Sequence, residues 1–208
     1  MGLGVPEFIA VLQDSGIRPD VILDAGAFDG ADTALMSRAF PAARAIAIEG
    51  DPGTYVNCRP EPPVEYHCAV LSDVCGPVQW WRKSGPKLNG MFNHAACGAV
   101  EIIAATSTRL DVLLPQLHVA HVDVMKLDVE GAAYEVLTGM GKFLERVAFL
   151  HVETETRNWF PGMRYYHRDV VRLLQAAGMQ EVASFEDGGQ VDSIWRARHY
   201  YERLGIVG

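Results

Sequence analysis

An α/β domain is the fold class that these 208 residues predict, with a mainly parallel seven-stranded sheet, helices on both faces and an antiparallel hairpin at its C-terminal end. Three observations predict it. Short β-rich apolar runs alternate with helix-like stretches, the rhythm of βαβ units. The first runs are continuous in hydrophobicity rather than alternating, as in strands covered on both faces. Near the C-terminus two β-rich runs flank the Gly-rich turn Glu186-Asp187-Gly188-Gly189-Gln190, a hairpin signal.

Met1 to Asp20 reads as a short N-terminal helix with Leu12 packed underneath. Val21-Ile22-Leu23 before Asp24 is the first strand, and Ala45 to Ile48 before Glu49 the second. Between them Ala31 to Phe40, rich in good helix formers, stops at Pro41. Further strands are expected at Glu65–Val70, Val122–Leu127 and Val147–Val152. Helices are expected at Ala132–Met140 and at Arg168–Ala177, the latter closed by Gly178. Val182–Phe185 and Val191–Trp195 form the hairpin. Residues 76–110 fit less well: Val78–Arg82 is strand-like and Ser84–Asn93 is loop-like, and this inserted segment is expected to form part of the ligand pocket. The expected organisation is an N-terminal helical segment, 1–20, and one domain over 21–208 that carries 76–110 as an inserted segment.

Eighteen Lys and Arg against 26 Asp and Glu leave a net charge of −8, which speaks against a broad cationic face for a polynucleotide and favours small or neutral partners. No stretch approaches the roughly 18 apolar residues of a membrane helix, and the first basic residue, Arg18, comes too late for a signal peptide, so no membrane and a cytoplasmic location are expected. Pro6 stands where a myristoylation motif behind Gly2 needs Ser or Thr. Cys58, Cys68, Cys75 and Cys97 contain no C-x-x-C pair and read as reduced, packed thiols. A homodimer stays open.

Asp24-Ala25-Gly26-Ala27-Phe28-Asp29-Gly30 lies between a strand and a helix, where open α/β sheets bind ligands at strand carboxyl ends. Its glycines allow close backbone approach, and the helix start offers free amides. A dinucleotide fingerprint would need glycines where Phe28 and Ala31 stand, which weakens a pyrophosphate reading. An acidic Asp24 instead suits a ligand carrying an ammonium and a sulfonium, and S-adenosylmethionine has both. Glu49, ending the second strand, is placed to take two ribose hydroxyls. Ser72 and Asp73, ending the third, are placed to flank the adenine. Read singly, each of these residues could equally be a helix cap or a solvated turn residue.

These motifs, together with Ala69-Val70-x-Ser72-Asp73-x-x-Gly76, Arg109-Leu110-Asp111 and above all Lys126-Leu127-Asp128-Val129-Glu130-Gly131-Ala132, resemble an FkbM-type methyltransferase domain from about Val21 to His151. The resemblance implies a Rossmann-like class I methyltransferase fold with S-adenosylmethionine as cofactor. It also implies that Gly26, Ala27, Phe28, Gly30 and Thr33 hold the methionine part, Glu49 the ribose, Ser72 and Asp73 the adenine, and that Asp128 lies near the transferring methyl. Gly50 and Asp51 are counted with Glu49 among the cofactor contacts. The chain departs from the family pattern at Phe28-Asp29 and at Gly50-Asp51-Pro52, and Arg59-Pro60-Glu61-Pro62-Pro63 cuts short the helix after the second strand. The acceptor class therefore does not transfer with the motifs.

Methyl transfer to an oxygen is an in-line displacement that asks the protein to align donor and acceptor and to supply a base. Asp128, Glu153 and His151 are the candidate catalytic residues. His151 and Glu153 share one strand face and are expected to open toward the same cleft as Asp128, although a satisfied core histidine is an equally natural role for His151. Asp128, Glu130, His151 and Glu153 could also be read as metal ligands, but no metal is assigned, and His118 and His121 read as a solvated loop. Trp159-Phe160-Pro161-Gly162 and Tyr165-Tyr166-His167 could form a lid or simply pack. With Trp80, Trp81 and Asn89–Asn93 opposite, the pocket suits a sugar ring or a natural-product hydroxyl. The expected activity is methylation of a small hydroxyl-bearing molecule. Alternatives are an NAD-linked oxidoreductase, a polynucleotide methyltransferase that the acidic balance disfavours, and a non-catalytic module that binds S-adenosylmethionine.

Overall fold

The computed structural model describes residues 2–58, 60–94, 99–198 and 200. Cys97 and Arg59, singled out in the sequence, lie outside them. Helix α1 (Val5–Ser15) leads into β1 (Val21–Ala25), α2 (Ala31–Ala39) and β2 (Arg44–Glu49). Then come α3 (Pro52–Asn57), β3 (Glu65–Cys68), β4 (Val70–Leu71), β5 (Gly76–Lys83), β6 (Ala99–Thr108) and α4 (Leu110–Gln116). The chain continues with β7 (Val124–Leu127), α5 (Ala133–Gly139), β8 (Phe149–Glu155), α6 (His167–Ala176), β9 (Met179–Asp187) and β10 (Gln190–Ala197).

Seven strands form one sheet in the order β3-β2-β1-β7-β8-β10-β9. The pairs from β3 to β8 are parallel, while β10 is antiparallel to both β8 and β9. The period of two explains the continuous apolar runs, because alternate residues serve different helices. Ile22 and Val124 pack with Phe8, Leu12 and Met36, whereas Leu23 and Met125 pack with Leu110, Val136 and Leu174 on the other face. Strand order reverses between β1 and β7. Outside the carboxyl ends at such a switch point lies the natural ligand crevice of an open parallel sheet.

The third strand is shorter than Glu65–Val70. It stops at Cys68, and Val70–Leu71 leaves the large sheet to pair with β6 in a separate three-stranded sheet, β4-β6-β5. Residues 76–110 are thus mostly ordered as a β5–β6 hairpin. The loop-like Ser84–Asn93 connects toward its second strand and includes a short 3-10 turn at Pro86–Leu88. Helix α3 is the shortened helix expected after the second strand, whereas α4 was not expected. Asp51 caps α3 by accepting from Thr54 N at 2.8 Å.

Candidate functional site

The crevice at the β1–β7 switch is a cleft of about 400 Å³. Its floor depends on Gly26, whose φ of +82° carries the chain over the end of β7. A Cβ there would overlap the Asp128 carbonyl oxygen. Gly26 N and Ala27 N both donate to Ile48 O, at 2.9 and 3.0 Å, and Asp128 N donates to Ala25 O at 3.0 Å, so three strand ends are tied together beneath the opening.

Glu49 anchors one wall. Its Oε2 accepts from Phe28 N at 2.9 Å and its Oε1 from Asp51 N at 2.7 Å, which fixes the carboxylate at the cleft surface. Burial pushes its pKa up to about 7 against the pull of these two amides. Phe28 is held with φ at +48°, and Tyr66 donates to its carbonyl. The Lys87 ammonium stands 5.4 Å from the centre of the Phe28 ring, so the segment over the cleft touches the loop under it.

Asp24 does not reach this surface. It is wholly buried, takes a hydrogen bond of 2.6 Å from Thr33 Oγ1, and lies 3.7 Å from Lys126 Nζ. Its strand parity turns it beneath the floor, so the expectation that Asp24 meets a ligand cation directly is corrected, and Thr33 serves Asp24 rather than the cleft. Lys126 lines the cleft instead, with Nζ also 3.4 Å from Asp32 and 3.3 Å from Asp128. Burial alone would discharge it, but the three carboxylates outweigh burial and hold its pKa above the usual value.

Asp51 is likewise a support. Its carboxylate accepts from Trp80 Nε1 at 3.0 Å, Arg82 Nε at 2.7 Å and Thr54 N. Burial pushes its pKa up, but the Arg82 guanidinium and these other donors hold it below the ordinary carboxylate range. The arrangement sets the Trp80 indole against Gly50, where a Cβ would collide with the ring, and both line the cleft. Ser72 and Asp73 are not on the cleft. The turn of β4 into the second sheet carries them away: Ser72 N donates to Thr108 O at 3.0 Å, and Arg109 Nη1 donates to Asp73 O at 2.9 Å. Ala69 and Leu71 line the cleft in their stead. Gly30 opens onto a shallower neighbouring groove beside Arg38 and Cys58.

At the opposite end Asp128, Glu130, Glu153 and Gln190 converge with Asn89 and Met91. Gln190 Nε2 donates to Glu153 Oε1 at 2.7 Å. Burial first, then neighbouring carboxylates, push Glu153 up to about 9 and Glu130 up to about 8. Glu130 sits at φ +49° with its Oε2 buried and without a hydrogen-bond partner. His151 is not brought to the cleft. Two residues back along β8, roughly 6.6 Å at the rise of a strand, it is buried against Phe8 with Nε2 3.0 Å from Leu3 O. The expectation that it opens beside Glu153 is corrected. Phe160 is buried under Gly131, and Tyr165 stacks on Tyr134 at 3.8 Å, so this aromatic segment packs against the loop and helix after β7 instead of lining the cleft. Lys126, Asp32, Asp29, Gln190 and Lys87 are cleft residues that sequence reasoning missed; the first belonged to a motif already quoted.

The family model described as "Methyltransferase FkbM domain" matches residues 24–181. A "2-O-methyltransferase NoeI" of Sinorhizobium fredii (strain NBRC 101917 / NGR234) is 25% identical over 198 residues, covering 86% of this chain and 80% of that one. Among solved structures, the N-terminal domain of EvdMO1 with SAH bound superposes with a TM-score of 0.54 at 14% identity, over 95% of this chain and 83% of the other. A precorrin-6y C5,15-methyltransferase from Geobacter metallireducens GS-15 gives 0.50 at 14% identity, over 91% and 87%.

Proposed function

The chain belongs to the FkbM methyltransferase domain family, and from that premise we propose that it methylates a hydroxyl group of a small, uncharged acceptor, a sugar or a natural product. S-adenosylmethionine is the cofactor of this enzyme class, and the lining of the cleft fits it. Asp29, Asp32 and Asp128, joined by Glu49 when it is ionised, outnumber Lys87 and Lys126 in the cleft lining, an excess of negative charge that suits a cationic ligand. When bound, the cofactor supplies a methyl group on a positively charged sulfur.

In this reading the backbone of Gly26, Ala27 and Phe28 receives the amino-acid end, Glu49 takes the ribose hydroxyls, and Ile48, Ala69, Leu71 and Trp80 enclose the base. Lys126 holds Asp128 in place beside the reacting centre. Glu153, in its ionised form, takes the proton of the acceptor hydroxyl, with Gln190 fixing its orientation. A base with an elevated pKa is well matched to a weakly acidic alcohol. The observation that carries the proposal is the position of Glu153, set beside Asp128 in a cleft wall built with Gln190, Asn89 and Met91. The NoeI relative, named as a 2-O-methyltransferase, supports oxygen as the target. The negative net charge supports a small partner over a polynucleotide.

We keep 21–208 as the methyltransferase domain, preceded by a helical segment over 1–20, with 76–110 as the insertion that supplies the acceptor wall. The test is transfer of an isotopically labelled methyl group to a panel of glycosides and hydroxylated scaffolds, with the product linkage read by NMR. Methyl ethers are expected; methylation confined to nitrogen, carbon or sulfur would sink the proposal.

A further inference from the structure

The carboxylates around the cleft differ in what already satisfies them. Asp128 has the Lys126 ammonium at 3.3 Å, and Asp32 shares it at 3.4 Å. Glu49 has two backbone amides. Glu153 has the Gln190 amide on Oε1. Among the described residues, Glu130 is the one cleft carboxylate that keeps a solvent-free oxygen, Oε2, with no hydrogen-bond partner. A buried acceptor left in this state is costly, and it stands in a left-handed backbone conformation that is unfavourable for a glutamate. Two unfavourable features therefore coincide on one side chain that lines the cleft.

Position narrows what Glu130 awaits. It follows β7, on the side of the cleft away from Glu49, and Gly90 of the segment connecting β5 toward β6 abuts its Cβ. Glu153 of β8 lines the same cleft, and the Glu130 carboxylate adds to the burial that raises its proton affinity. We infer that Glu130 and Glu153 together form a two-point acceptor subsite that selects a neutral molecule bearing hydroxyls on adjacent carbons, one hydroxyl facing each carboxyl group. This deepens the hydroxyl-methylation reading above and rests on it for the chemistry, but not for the binding.

The charge state supports the match. With pKa values near 8 and 9, both groups carry protons at neutral pH for most of the time. Each then offers a donor and an acceptor, the same dual character as a hydroxyl. Burial sets these values first, and Asp128, Glu155, Asp192, Lys83 and Lys126 are the charged neighbours that adjust them. A diol satisfies both carboxyl groups at once, whereas a lone alcohol leaves one of them unpaired.

The probes are cyclohexanol and cyclohexane-1,2-diol, assayed with full-length protein. Calorimetry on the complex saturated with S-adenosylhomocysteine reads binding, and labelled methyl transfer reads chemistry. The diol is expected to bind at least tenfold more tightly than the mono-alcohol. Glu130→Ala should abolish that preference, while Glu130→Gln, which keeps a donor and an acceptor, should retain it; unchanged S-adenosylhomocysteine affinity reports that both variants are folded. Equal affinity for the two probes, no binding of the diol, or a preference that survives Glu130→Ala would each overturn the inference. Selective diol binding without methyl transfer would uphold the subsite and count against the hydroxyl reading, so the two failures are distinguishable.

Discussion

Lys126 Nζ lies 3.7 Å from Asp24 Oδ1, joining a buried lysine of the methyltransferase cleft wall to a carboxylate beneath its floor. Asp24 has Thr33 on its other oxygen and, among the described residues, no second cation beside it. Lys126→Met would strand that carboxylate and leave Asp128 without its cation. Breaking one side of a buried pair costs about 3–5 kcal/mol, so a loss of that size in denaturant unfolding is expected. The double variant Asp24→Asn with Lys126→Met should recover part of it. If the single variant unfolds like the parent, the buried network contributes nothing to stability.

Four largely buried carboxyl groups, three of them in the cleft wall, make the ligand-free enzyme sensitive to alkali. Glu49 and Glu155 are raised by burial to about 7, Glu130 to about 8 and Glu153 to about 9, from 4.5. A carboxyl group whose folded pKa exceeds its unfolded value keeps its proton in the native state after the unfolded chain has lost it. Stability is therefore greatest below about pH 4.5 as far as these groups are concerned, and it falls as pH rises through their folded values. Tm should therefore fall steadily between pH 5.5 and 9. S-adenosylmethionine, with its sulfonium, should restore more stability at pH 8.5 than at pH 6, and more than the neutral-sulfur S-adenosylhomocysteine does. A flat Tm across this range would refute the electrostatic account of the cleft.

The layered fold was legible because its strands are apolar runs that stop at Asp24, Glu49 and Asp128, and because Gly188-Gly189 marks the hairpin. The direction in which a strand-end side chain points was not. Asp24 turns to Thr33 and Lys126 under the floor, a matter of parity that a one-residue difference in strand end reverses. His151 and Glu153 have the same parity, and only depth along β8 separates a buried contact to Leu3 from a cleft wall. Ser72 and Asp73 were misplaced because the departure of Val70–Leu71 into a second sheet depends on pairing with β6, whose Ala99–Thr108 run of small and β-branched residues gave no clear strand boundary.

Asp51→Ala should act on stability and on cofactor affinity together. The carboxylate caps α3, receives the Trp80 indole N–H and pairs with Arg82. Removing a cap costs about 0.5–2 kcal/mol, and an unsatisfied buried donor adds about 1–3 kcal/mol. With Trp80 no longer fixed against Gly50, calorimetry should show S-adenosylhomocysteine binding weakened several-fold. Affinity equal to that of the parent would mean that Trp80 holds its place without Asp51.

Glu49→Ala should separate binding from folding more cleanly. The side chain fixes Phe28 N and Asp51 N at the cleft wall, and among the described residues it makes no ion pair. Its removal relieves a charge that burial already disfavours, so thermal stability at pH 8 should change by no more than about 1–2 kcal/mol, within the ordinary range for a substitution. Loss of the ribose contact and of the fixed Phe28 loop should nevertheless weaken S-adenosylmethionine at least tenfold, about 1.4 kcal/mol. Undiminished affinity in a folded Glu49→Ala protein would remove Glu49 from the cofactor site.

Gly26→Ala tests the floor itself. The residue sits at φ +82°, and an added methyl would overlap the Asp128 carbonyl oxygen, so β1 and β7 would have to part at the point where Asp128 N donates to Ala25 O. Backbone cannot yield as a flexible side chain can, and the left-handed conformation adds about 1 kcal/mol for alanine over glycine. Destabilisation of about 3–5 kcal/mol is expected, at the extreme of what single substitutions do, together with loss of cofactor binding in whatever remains folded. Gly178→Ala is the control, because it has φ +81° but open space where its Cβ would go. It carries the conformational cost without the collision. Comparable losses in the two variants, measured by urea unfolding, would show that the close approach of Gly26 to Asp128 is not what fixes the floor.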